Sequence, residues 1–131
     1  NGLTETGRGK FVQEDARKWL RRQRRRRVER PDEFEPFDLI VCDPPVFASS
    51  KDGGKFSVEK EWQSLAEVSA DLLYVGGAAI FANNHRSGNH EAYHGILEAV
   101  FDDVIELAPP FDFPASSDEP HHVRTFLCRV T

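Results

Sequence analysis

The chain reads as an α/β protein built on a mainly parallel, doubly wound sheet, and three observations predict this. Short runs rich in Val, Ile and Phe alternate with segments whose apolar residues recur every three or four positions. The helical segments between them are long enough to carry crossovers, which parallel neighbours require. Runs such as FDLIVC and AAIFA are apolar almost throughout, as buried strands are.

Taken in order, KFVQEDA (10–16) reads as a short strand ending in acids. Residues 15–27 read as a helix with Ala16, Trp19 and Leu20 at helical spacing. FDLIVCD (37–43) is the next strand, and residues 48–57 are loop by composition. From Val58 to Leu73 the residues Trp62, Leu65, Ala66, Ser69, Leu72 and Leu73 form one helical stripe, and VGG (75–77) supplies its stop. AAIFANN (78–84) follows as a strand, and Asn89 is placed to cap a helix reaching about Phe101, with Tyr93, Ile96, Leu97, Val100 and Phe101 inward. DVIELA (103–108) and VRTFLCRV (123–130) close the pattern as strands.

Length and composition set the bounds. The 131 residues fit one domain, and 39% apolar content with 10 Phe and 2 Trp suffices for a core. No apolar run approaches a membrane span and no signal peptide is visible, so the expected compartment is the cytoplasm and no membrane partner is expected. Cys42 and Cys128 both fall in apolar strand-like runs, which suits reduced, packed thiols. There is no Met, and residue 1 is Asn, so the chain is expected to be a piece of a longer polypeptide whose upstream part is its partner.

The net charge of −5 conceals an asymmetry. RKWLRRQRRRRVER (17–30) holds 9 of the 17 Lys and Arg and carries +8, whereas the remainder carries −13. Such density attracts phosphate through counterion release, which makes Arg24, Arg25, Arg26 and Arg27 candidate RNA contacts, with Trp19 beside them able to stack on a base. A solvated helix face followed by a basic loop is the competing description.

In open α/β sheets ligands lie beyond the carboxyl ends of the strands. Three unusual loops converge there: DPPVFASSK after one strand, NNHRS (83–87) after the next, and PPFDFPASSDEPHH (109–122) after the third. An Asp at the end of a buried strand is costly unless something uses it, and the two prolines after it end the ladder. The last loop is long, and long loops in compact domains are often functional.

The order FVQEDA, FDLIVCDPPVFASSK, LLYVGGAAIFANNHR and DFPASSDEPHHVRTFLCRV resembles the later part of class I S-adenosylmethionine-dependent RNA methyltransferases, and among them the guanine-N7 domain of the bifunctional bacterial large-subunit rRNA enzymes. The resemblance implies a Rossmann-like sheet with an antiparallel last strand. It implies S-adenosylmethionine as cofactor, held by Asp15, the amide of Ala16, and Asp43. It also implies a catalytic tetrad of Asp43, Pro44, Pro45 and Phe47, whose carbonyl and carboxylate oxygens orient a flipped base while the ring stacks on it. Stacking of that kind is worth about 1–3 kcal/mol, against a similar loss on flipping. Ser50, Lys51, Asn83, Asn84 and Arg86 match substrate-binding positions. Asn83 and Asn84 stand where cytosine-C5 relatives carry a nucleophilic Cys, so nitrogen methylation of ribosomal RNA is favoured. The first two strands and the glycine-rich cofactor loop of that family are not matched, so residues 1–131 are expected to form one partial domain that is inactive and a poor cofactor binder alone.

Two other readings compete. HEAYH (90–94) fits H-E-x-x-H, a zinc-hydrolase pattern in which His90 and His94 bind metal and Glu91 polarises water, with Glu106 or Glu119 as a third ligand. Its position at the start of a crossover helix, without a downstream G-x-x-H, favours solvent-facing histidines and no metal. His121 and His122 in the long loop read first as exposed loop residues, with contact to RNA phosphate as the alternative. The other reading is a non-catalytic RNA-binding module using the Arg-rich helix alone.

Overall fold

A computed structural model of the chain describes residues 9–45, 47–50, 54–84, 90–109 and 123–131, with backbone only for 47–50, 54–60 and 90. The first helix, α1 (Ala16–Glu29), starts at Asp15, whose side chain accepts from the amides of Arg17 and Lys18. It stops at Arg30 because Pro31 follows, and a residue before proline is driven out of helical geometry. A single 3-10 turn, Pro31–Glu33, leads into strand β1 (Phe37–Cys42). Next come a hairpin of β2 (Phe47–Ser50) and β3 (Gly54–Ser57), helix α2 (Val58–Leu72) and strand β4 (Leu73–Asn83). Helix α3 (His90–Glu98), β5 (Asp103–Leu107) and β6 (Arg124–Arg129) complete the order.

Four strands form one sheet in the order β1-β4-β6-β5. β1 runs parallel to β4, and β6 is antiparallel to both β4 and β5. The expected mainly parallel sheet with an antiparallel last strand is therefore present.

One sheet face and all three helices enclose the core. Trp62, Leu65 and Ala66 of α2 meet Ala79 and Phe81 of β4, Phe126 and Cys128 of β6, and Tyr93, Leu97 and Phe101 at and after α3. Trp62 anchors this cluster: its ring lies 5.4 Å from Phe81 and 5.1 Å from Tyr93, and its indole N–H donates to the Tyr93 carbonyl at 3.2 Å. The buried donor is thereby satisfied. Every stripe residue expected inward on α2, from Trp62 to Leu73, is buried. On α3 and beyond, Tyr93, Leu97 and Phe101 are buried, and Ile96 and Val100 pack against the core half-buried. The register aligns Val41, Ile80, Leu127 and Ile105 across all four strands on the opposite face, where Val41 and Ile105 are exposed.

Four sequence expectations change. Residues 10–16 form no strand: Phe11 is exposed, and among the described residues no strand lies beside it to supply ladder partners. Residues 48–57, expected as loop, fall mostly within the antiparallel hairpin, where Phe47 pairs with Ser57 and Ser50 with Gly54. VGG does not stop a helix before a separate strand, because β4 begins at Leu73 directly after α2 and bulges there. β1 pairs Phe37 with Leu73 and then Leu39 with Ala78. Gly76 takes φ 91°, where a Cβ is strained, and donates to the Val130 carbonyl at 2.7 Å, while Val130 donates to the Gly77 carbonyl at 3.2 Å. α3 ends at Glu98 in a turn rather than continuing to Phe101. The expected cap Asn89 and nearly all of the 109–122 loop lie outside the described residues. Among the described residues, no helix is long and apolar enough to cross a membrane.

Candidate functional site

A cavity of about 550 Å³ opens where the start of α1 meets the carboxyl end of β1. That volume lies within the usual range for small-molecule sites. Asp15, Ala16, Arg17, Trp19 and Leu20 line it from α1 and its cap. Ile40 to Pro45 line it from β1 and the turn beyond, and Leu65 and Ser69 line it from α2. Its wall is mainly apolar, with carboxylates at Asp15 and Asp43.

Asp15 is held in place by α1. It accepts from the Arg17 amide at 2.9 Å and the Lys18 amide at 3.3 Å, which satisfies two of the orphan donors of the first turn. The Arg17 side chain grips the same carboxylate through Nε at 3.2 Å and a terminal nitrogen at 2.9 Å. Its other terminal nitrogen reaches Glu61 of α2 at 2.8 Å. Hydrogen bonding to Asp15, reinforced by Glu61, drives the Arg17 pKa further up, so the guanidinium is a permanent cation beside the cavity. Its bridge ties the start of α1 to α2, and Trp19 tilts against Phe37 at 6.0 Å to fix the same end to β1.

On the opposite wall the turn Asp43-Pro44-Pro45 leaves β1 with Asp43 exposed and Pro44 half-buried. The preceding Cys42 is mostly buried, and burial, with the Asp43 charge behind it, pushes its thiol up to about 12. It is a neutral packing group there, not a nucleophile. Cys128 is likewise pushed up to about 12 by burial, and both cysteines are free.

The candidate residues fall into groups. Asp15, Ala16, Asp43, Pro44 and Pro45 meet at one cavity. Phe47 and Ser50 sit in β2, so the chain enters a hairpin two residues after Pro45; their side chains, all of Lys51, and Arg86 lie outside the description. Asn83 and Asn84 follow the last β1–β4 pair, Cys42 with Phe81, and so share the sheet edge that carries Asp43. Asn83 is buried and Asn84 exposed. Arg24 to Arg27 lie further along α1, away from the cavity lining.

Leu65 and Ser69 line the cavity although the sequence reading gave them to the core alone. A small polar residue within an apolar stripe, as Ser69 is, was the available signal. Trp19, expected beside the Arg run as a base-stacking ring, instead forms a cavity wall.

In the HEAYH segment, the His94 ring stacks on Phe126 at 5.4 Å and 16°, with Nε2 3.8 Å from Glu98 on its own helix. His94 is half-buried packing against the core rather than a solvent-facing ring. Glu106, the suggested third ligand, is instead paired with Arg124 across β5 and β6. Among the described residues no group of three or more His, Cys, Asp or Glu is arranged to hold a metal.

No protein-family model matches the chain. Solved structures do. SMU.776, named a putative methyltransferase complexed with SAH, superposes with a TM-score of 0.67 at 22% identity, over 89% of this chain and 30% of that one. A protein named a putative SAM-dependent methyltransferase from Streptococcus mutans gives 0.64 at 20%, over 89% and 30%. The SAM-dependent methyltransferase from Agrobacterium tumefaciens gives 0.69 at 14%, over 98% and 44%. The chain shares part of the Rossmann-like α/β fold of these proteins. The chain spans less than half the length of each of these proteins.

Proposed function

We propose that these residues contribute the adenine wall and the target-base edge of an S-adenosylmethionine-dependent methyltransferase acting on a base nitrogen of ribosomal RNA, with guanine N7 of the large subunit as the target. The observation that carries this reading is the convergence of the Asp15 cap and the Asp43-Pro44-Pro45 turn on one cavity. The fold shared with methyltransferases supports it.

The residues present fit such a cofactor. Trp19, Leu20, Ile40 and Leu65 offer apolar surface for a flat heterocycle, Asp15 offers a carboxylate for an exocyclic amino group, and the amide of Ala16 belongs to the first helical turn, where donors lack intrahelical partners. When bound, the cofactor supplies an electrophilic methyl group on a sulfonium centre.

What the chain itself does is position. The Pro44-Pro45 turn has both φ angles fixed by the rings, so the Asp43 carbonyl and carboxylate are presented at a set place past β1. A guanine N7 carries a lone pair and no proton, so no general base is required and the barrier is lowered by alignment, worth roughly 7–11 kcal/mol when complete. Neither cysteine competes as a nucleophile, since Cys42 is neutral and packed and Cys128 is fully buried. Phe47, two residues beyond Pro45 in β2, is the ring assigned to stack on the target base.

In a polypeptide carrying these residues together with the remaining methyltransferase elements, Asp43→Ala is expected to lower methyl transfer to rRNA by at least about a hundredfold, while RNA affinity stays within about twofold. Unchanged turnover in Asp43→Ala would remove Asp43 from the site. Loss of RNA binding and turnover together would favour a purely RNA-binding role.

A further inference from the structure

We infer that the outward side of α1 is a docking surface for the phosphate backbone of single-stranded or looped RNA, formed by Arg21, Arg22, Arg25 and Arg26 beside Lys18. The choice of RNA over other polyanions rests on the function proposed above; the surface itself rests on the geometry of the helix.

Helical spacing sorts the basic residues. Leu20 and Gln23 are half-buried on the side that meets α2 and β1, and Arg27 is half-buried with them, one guanidinium nitrogen out of solvent and without a hydrogen-bond partner. Arg17 and Arg24 lie to one flank and are bound to acids of α2, Arg17 to Glu61 and Arg24 to Asp71 at 2.6 Å. The rest form two rows at four-residue spacing, Lys18-Arg22-Arg26 and Arg21-Arg25, all exposed. The surface thus differs from the expected run of Arg24 to Arg27: Arg27 turns inward, Arg24 is occupied by Asp71, and Arg21 and Arg22 join.

Partial neutralisation does not explain the rows. Arg22 reaches Glu14 at 2.6 Å and Arg25 lies 3.7 Å from Glu29, both exposed pairs that contribute little. Arg21 and Arg26 have no acidic partner among the described residues. Like charges at four-residue spacing destabilise a helix by a few tenths of a kcal/mol per pair. The helix dipole compensates that for Arg26 in the last turn, but not for Arg21 or Arg22. With the rest of the chain at −13, a polyanion meets attraction here and repulsion over most of the remaining surface. At 1.5 Å rise per residue, Arg21 and Arg26 lie about 8 and 15 Å along the axis from Ala16 at the cavity rim. A strand presenting one base to the Asp43 edge therefore has neighbouring phosphates within reach of this surface.

The test is fluorescence anisotropy of a fluorescein-labelled, mixed-sequence single-stranded RNA with this chain across a KCl series. Two variants remove equal charge: Arg21→Gln/Arg26→Gln on the surface, and Lys10→Gln/Arg129→Gln at exposed positions elsewhere. Losing two phosphate contacts on a single strand is expected to flatten the log–log salt slope by about 1.4 and weaken binding about 25-fold at 0.1 M salt, and the control pair is expected to change affinity less than about threefold. Arg21→Lys/Arg26→Lys keeps the charge and is expected to bind within about threefold of the original chain, which separates lost contacts from a disturbed helix. Equal losses in both Gln pairs, no loss in either, or tighter binding to phosphatidylserine vesicles than to RNA would overturn the proposal. Failure here leaves the cofactor cavity untouched, because that cavity is tested by ligand binding without RNA.

Discussion

Replacing Asp15 separates two jobs that one carboxylate performs. As N-cap it satisfies the amides of Arg17 and Lys18, and loss of such a cap costs about 1 kcal/mol, within a range of 0.5–2. As ion-pair partner it holds the Arg17 guanidinium by two hydrogen bonds at side-chain exposures of 13% and 15%. After a discount for screening by nearby solvent, that pairing is worth about 1 kcal/mol, because Arg17 keeps Glu61 when Asp15 is gone. Asp15→Ala is therefore expected to cost about 2 kcal/mol, and Asp15→Asn, which caps as well as Asp but lacks the charge, about half of that. With an unfolding entropy near 2.1 cal/mol/K per residue over 131 residues, 2 kcal/mol lowers Tm by about 7 °C and half of it by about 3–4 °C. Urea unfolding followed by tryptophan fluorescence reads both energies, since Trp19 packs on Phe37 of β1 and Trp62 sits in the core against Phe81 and Tyr93. Asn as damaging as Ala, or Ala within about 0.3 kcal/mol of the original chain, would refute the division of labour.

Further outcomes follow from the same structure. A Cβ at Gly77 would sit 2.8 Å from the Tyr74 carbonyl oxygen, 3.1 Å from that of Phe37 and 3.2 Å from that of Asp38, all backbone atoms, so Gly77→Ala is expected to destabilise by about 2–3 kcal/mol in urea melts. Gly76→Ala meets no atom within 4 Å but must hold φ 91°, which is expected to cost about 1–2 kcal/mol; equal costs of zero would remove the bulge from the account. Both thiols are raised from 9.0 to about 12 by burial, so between those values the folded chain keeps protons that the unfolded chain releases. Stability is unaffected below about pH 8 and falls as pH rises past 9, by on the order of 1 kcal/mol per thiol at pH 10. Cys42→Ala/Cys128→Ala is expected to shrink that alkaline loss in denaturant titrations, and an unchanged loss would mean that the thiols ionise freely in the fold.

How much was legible in the sequence depended on whether a pattern was local. The α2 stripe was fully readable because period 3.6 and burial coincide at Trp62, Leu65, Ala66, Ser69 and Leu72. β1, β4, β5 and β6 were readable as apolar runs with punctuation. The VGG bulge was not, since a glycine pair reads as a stop unless it is known that β1 pairs from Leu73 onwards. The β2–β3 hairpin was missed because Ala48, Gly54 and Lys55 are poor strand formers that outweigh Phe47 and Phe56, so the strand state comes from pairing of the two segments rather than from propensity. Residues 10–16 erred the other way: Phe11 and Val12 suggest a strand, but a strand without a neighbour has no ladder. At the candidate site, Asp43-Pro44-Pro45 stood out because an acid and two prolines interrupt an apolar run. The part of the cavity formed by Leu65, Ser69 and Trp19 was hidden, since those residues also belong to ordinary core faces.

The account rests on the cavity between the start of α1 and the end of β1 being an adenosyl site. Amide-resolved NMR of the nitrogen-15-labelled chain, titrated with SAH to millimolar concentration, tests this even where affinity is weak. The predicted result is saturable shifts concentrated at Ala16, Arg17, Cys42 and Asp43 and at the Trp19 indole, with Ala92 to Glu98 of α3 unmoved. Absence of saturable shifts at those positions, or a response centred on α3, would contradict it.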